Sequence, residues 1–156
     1  MSERPIIIGM NNPISTMPGH ELYPAPEGCT GHRLWRLLHA RTGAFRQQYL
    51  NAFERRNLVR GLEYNKRVAK MRAGAIVAEL WGSGRVVILL GQDVRRAFGH
   101  PELLVHPQEI SGCTWRQLPH PSGRNLWYND PDNRKVAELL LEELYTEYVG
   151  QKESAR

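Results

Sequence analysis

The sequence predicts an α/β fold layered around a mostly parallel sheet, and three observations carry that expectation. Short apolar runs, Ile6–Ile8 and the stretch RVVILLG at 85–91, are too short for helices and apolar on both faces, as strands buried in a parallel sheet are. Amphipathic stretches long enough for helices separate the strands. The resulting order of strand, helices, strand, helix, strand, helix is the signature of parallel crossover units.

Taken in order, Pro5 and Gly9 bracket the first strand. A proline-rich stretch from Asn11 to Cys29, including YPAPEG, is expected to be an ordered irregular loop. Thr30 can cap a helix over GHRLWRLLHA, with Leu34, Leu37 and Leu38 on one face and Gly43 at its end. A second helix is expected over AFRQQYLNAF, followed by a loop around RNLVRGLE. A third covers YNKRVAKMRAGAIVAELWG, with Val68, Met71, Ala75, Ile76 and Leu80 as its inner stripe and Gly82 and Gly84 as its stop. QDVRRAFG gives a short helix, ELLVH a short strand, and CTWRQL a strand entering a His-Pro-Ser-Gly loop. The last helix covers DPDNRKVAELLLEELYTEY, capped by Asp130 with Pro131 as its first residue.

Length and composition narrow the function. At 156 residues the chain is expected to be one domain over 1–156, with a flexible tail at 150–156. No apolar run approaches the ~20 residues of a membrane span, and MSERPIII lacks the layout of a secretory leader. A cytoplasmic, membrane-free protein is therefore the expectation. Two cysteines, Cys29 and Cys113, exclude a four-thiolate iron–sulfur cluster and a disulfide framework. There is no phosphate-cradling G-x-x-x-x-G-K, no G-x-S-x-G elbow around Ser122, and no metal-ligand spacing among the histidines.

The net charge of +5 is uneven. Eleven Lys and Arg lie between Gly31 and Arg72 against two acids, Glu54 and Glu63, whereas the final helix is acidic. Such a half suits the phosphates of a nucleic acid.

Ligands of open parallel sheets bind at the strand C-termini, so GMNNP at 9–13 and PHPSGRN at 119–125 are expected to face one another. Gly9 permits a tight exit from its strand. Asn11 and Asn12 carry amides that both donate and accept, so either can hold a water or serve a turn. His120 can donate to an atom gaining negative charge.

These two loops resemble the signature loops of the uracil-DNA glycosylase superfamily. GHRLW is similar to the segment opening the helix after the first loop in mismatch-specific uracil/thymine glycosylases, and VVILLGQDVRRAFG is similar to that group's central strand and following helix. The likeness runs over Ile6 to Val149. In two places the chain departs from that group. An additional Asn separates Asn11 from Pro13, and the second loop opens with His120, as in the classical and single-strand-selective branches.

The resemblance implies a three-layer α/β/α fold with a central four-stranded sheet, and hydrolysis of an N-glycosidic bond in DNA without metal or organic cofactor. It implies Asn11 or Asn12 as holder of the attacking water, Asn11 being preferred for its distance from Gly9, and His120 as donor to the leaving base. Gly9, Met10, Asn12 and a stacking Tyr23 would bind the base; Ser122, Gly123, Arg124 and Asn125 would contact DNA. The expected partner is DNA, bound by a monomer. Hydrolysis of a free nucleotide or nucleoside, or DNA binding with little catalysis, are the alternative activities.

Overall fold

A computed structural model describes residues 3–100, 102–103, 106–122 and 124–154. Five strands, β1 (Ile6–Gly9), β2 (Glu54–Asn57), β3 (Val86–Leu90), β4 (Gln108–Ile110) and β5 (Cys113–Leu118), form one sheet in the order β2-β1-β3-β5-β4. All pairings are parallel except β4 with β5.

Alternation along the strands builds two cores, one on each face. Ile7, Ile88, Leu90 and Leu118 point to one side. There they meet Leu34, Leu37 and Leu38 of α1 (Thr30–Thr42), Tyr49 of α2 (Arg46–Ala52), and Leu140, Leu141 and Leu144 of α5 (Pro131–Ser154). Ile6, Ile8, Val87, Leu89 and Trp115 point to the other side, against Ala69, Ala73, Ile76 and Leu80 of α3 (Lys66–Leu80) and Val94 of α4 (Gln92–Ala97). The protein is thus a three-layer α/β/α sandwich. Among the described residues, no helix is long and apolar enough to cross a membrane.

Five details differ from the sequence expectation. The sheet has five strands, not four, because ERRN at 54–57 forms edge strand β2 where a loop was expected. Its charges mask it: Arg56 pairs with Glu54 at 3.0 Å and with Glu79 of α3 at 2.8 Å, so polar groups take the place of an apolar face. The strand expected over ELLVH falls partly outside the described residues, and the antiparallel edge strand is β4, just after it.

The inner stripe of α3 is also rotated. Val68, Met71 and Ala75 are exposed, whereas Ala69, Ala73, Ile76 and Leu80 are buried. Small alanines, which let a helix approach the sheet closely, are poor markers in a hydrophobicity pattern.

The cap of α1 is Cys29, whose Sγ accepts from His32 N, and Thr30 is the first helical residue. The expected end of α1 at Gly43 (φ 68°) is present. So is the Asp130 cap, whose Oδ1 accepts from Asp132 N at 2.9 Å. Helix α5 runs on through residues 150–154, into the segment expected as a tail.

Candidate active site

Because β1, β2, β3 and β5 are parallel, their C-terminal ends share one edge of the sheet. A cleft of about 750 Å³ opens there. Gly9 at the end of β1 and Met10, Asn11 and Asn12 after it line the cleft together with His120 and Ser122 after β5, so the two loops do face each other. Tyr23 and the proline-rich loop supply a third wall.

The two adjacent asparagines are used differently. Asn12 Oδ1 accepts from Ile14 N at 2.9 Å and Ser15 N at 3.2 Å, closing a turn of the kind Asn favours. Its Nδ2 donates to His20 O at 3.3 Å. Asn11 Nδ2 donates to Leu62 O at 2.8 Å, while its Oδ1 accepts no hydrogen bond among the described residues. One amide is therefore committed to the turn, and the other is braced by its nitrogen with its oxygen open.

His120 is held from several sides. Tyr128 donates its hydroxyl hydrogen to Pro119 O at 2.7 Å, and Asn125 Nδ2 donates to His120 O at 2.9 Å. At Gly91 (φ 87°), a Cβ would lie 3.1 Å from His120 Cβ, so the exit of β3 leaves room for the imidazole. His120 Nε2 lies 3.4 Å from Thr30 Oγ1. Burial pushes the imidazole below its ordinary pKa, which favours the neutral ring at physiological pH.

Tyr23 is 42% exposed on a loop fixed from beneath. The buried Tyr49 hydroxyl donates to Leu22 O at 2.9 Å, and Arg55 Nη1 donates to Glu21 O at 2.7 Å. A Cβ on Gly31 would collide with the backbone carbonyls of Leu22 and Tyr23, so α1 packs against this loop at a residue without a side chain. Burial raises the Glu21 carboxyl above its ordinary pKa, opposed by a hydrogen bond from the Asn57 backbone and by Arg60, Arg72 and Arg55.

Of the described residues expected to contact DNA, only Ser122 lines the cleft. Asn125 turns inward: besides its bond to His120 O, its Oδ1 accepts from Trp127 N at 3.1 Å. Arg124 is exposed, and Gly123 lies outside the described residues.

Asn57 was missed. It ends β2, is 4% exposed, lines the cleft, and its side chain makes no hydrogen bond among the described residues. A buried carboxamide left open toward a cavity can pair with a polar edge of whatever enters. Its only sequence signal is a single amide between Arg56 and the apolar Leu58–Val59. Thr30, beside His120, was read only as a helix cap. Among the described residues no Lys, Arg, Asp or Glu lines the cleft, and no cluster of His, Cys, Asp and Glu could hold a metal.

Compared with models of known protein families and with curated proteins, the chain matches none.

Proposed function

We propose that the protein is a monofunctional DNA glycosylase, which hydrolyses the N-glycosidic bond of uracil or another modified base flipped out of DNA and leaves an abasic site. The observation that carries this reading is the meeting of Asn11 and His120 in the lining of one uncharged cleft. An uncharged, partly apolar cleft with a few convergent polar groups suits a neutral heterocycle better than a sugar phosphate.

In this reading the base stacks on Tyr23 and pairs its polar edge with the Asn57 carboxamide. The glycosidic bond breaks with its electron pair moving onto the base, and the neutral His120 donates a hydrogen bond to the carbonyl where that charge gathers. Asn11 Oδ1 accepts from a water and orients it toward the sugar cation, while Leu62 O fixes the amide from behind. Ser122 contacts the phosphate beside the flipped nucleotide. Exposed Arg124 and Leu126 follow the second loop, where a side chain can enter the gap left in the stack.

A carboxamide takes up no proton near neutrality and gives the sugar cation no negative charge. The expected enzyme is therefore slow and favours good leaving groups. The test is excision from oligonucleotides bearing uracil, a thymine mismatch, 5-hydroxymethyluracil, hypoxanthine or xanthine, read by alkaline cleavage. Cleavage of at least one, lost in Asn11→Ala and His120→Ala, supports the proposal; no cleavage of any by the wild type refutes it.

A further inference from the structure

A second cavity, of about 630 Å³, opens where α1, the loop leaving β5 and the start of α5 converge. Gly28 and Ser122 line both cavities, so the two adjoin. They differ in charge. Among the described residues the cleft is lined by no Lys, Arg, Asp or Glu, whereas Arg33, Arg36 and Arg134 line the second groove with Glu27 and Glu138. His32, also in that groove, is held below its ordinary pKa by burial and then by Arg46, so it adds no charge at neutrality.

These arginines are available. Arg41, Arg56, Arg85 and Arg116 each face a glutamate in an ion pair, but among the described residues Arg33, Arg36 and Arg134 do not. Arg33 uses only its Nε, donating to Gly28 O at 3.0 Å, which leaves its terminal nitrogens. Arg36 and Arg134 are exposed and make no side-chain hydrogen bond among the described residues. Guanidinium groups carry paired donors that match phosphate oxygens.

We propose that this groove holds the sugar-phosphate backbone of the same strand whose base occupies the cleft, so that the strand runs from the cleft across Ser122 and Gly28 into the groove. The base in the cleft rests on the glycosylase reading above. The backbone in the groove rests on the division of charge between adjoining cavities: a neutral heterocycle needs no cation, and its phosphates need several. Glu27 and Glu138 temper the attraction, which makes the groove sensitive to removal of either sign of charge.

The test uses the full-length protein and a fluorescein-labelled single-stranded oligonucleotide carrying one uracil, with anisotropy measured across a range of salt. An Arg36→Ala, Arg134→Ala double variant is expected to bind about tenfold more weakly and to lose about 1.4 from the log–log salt slope, at roughly 0.7 per phosphate of a single strand. Glu27→Gln is expected to tighten binding, a gain that misfolding cannot mimic. Unchanged affinity and slope in the double variant, with its melting temperature intact, overturn the proposal. So does an equal loss of binding to deoxyuridine monophosphate, which would make the groove a seat for a terminal phosphate and not for a strand. If the groove-dependent slope is present but none of the modified bases tested above is excised, the glycosylase reading fails and the assignment of the groove to a strand's backbone stands.

Discussion

Asn57 lies beside Gly9 across the parallel pairing of β1 and β2, its Oδ1 2.9 Å from where a Cβ on Gly9 would be. The missing side chain at the end of one strand makes room for the amide at the end of the next. Leu22 Cδ2 is 3.1 Å from the same point, so an added methyl has no slack on either side. Gly9→Ala is expected to push the Asn57 amide out of place and raise KM for excision about tenfold or more, while the melting temperature falls only slightly. Steady-state kinetics beside a thermal melt check this.

In the proposed mechanism Asn11→Ala removes the oxygen assigned to hold the water, and it leaves the turn made by Asn12 intact. Excision should fall by about 10² or more, within the range of groups that position or move protons, with oligonucleotide affinity unchanged. Asn12→Ala should behave differently, lowering stability through the lost turn bonds to Ile14 and Ser15. Single-turnover rates and urea midpoints of the two variants separate the roles.

His120→Ala should cost on the order of 10²–10³ in rate, as loss of one transition-state donor does. The pH profile gives a second check. Burial lowers the imidazole pKa below the 6.5 of a free ring, so the neutral donor persists to a pH under that value. Activity is expected to stay flat from pH 8 down to about 6.5 and to decline below it through the lowered pKa. His120→Asn should lose that acid limb.

Stability should decline over the same side of the pH scale. His32 and His120 are both held below 6.5 in the folded protein by burial. As pH falls through 6.5 the unfolded chain takes up protons that the folded chain does not, so stability decreases until the folded rings titrate. It is at its full value above 6.5. Urea midpoints at pH 7.5, 6 and 5 should decline in that order, with a shallower fall in His120→Asn.

Tyr49→Phe leaves Leu22 O without its buried donor. The expected cost is about 1–2 kcal/mol in unfolding free energy, read by denaturant titration, together with weaker binding at the Tyr23 wall above it.

What the sequence revealed and what it concealed divide along physical lines. The runs at Ile6–Ile8 and Val86–Leu90 are buried on both faces, so hydrophobicity alone marks them. Strand β2 satisfies its face with ion pairs and a carboxamide, and no periodicity announces it. With β2 went Asn57, because a polar residue becomes conspicuous only once the cavity beside it is known. The meeting of Asn11 with His120 was legible from parallel connectivity. The division of labour between Asn11 and Asn12 was not, since it depends on which amide the turn at Ile14 and Ser15 captures.

Leu22 and Glu21 hang by their carbonyls from Tyr49 and Arg55, side chains anchored in the sandwich itself. The aromatic rail they carry is assembled once, when the domain folds, and under the proposed function a nucleobase arriving later would meet a finished berth. Association then sacrifices only the visitor's own freedom of motion, and selectivity comes to depend on who fits a rigid slot, with little left to adaptive reshaping.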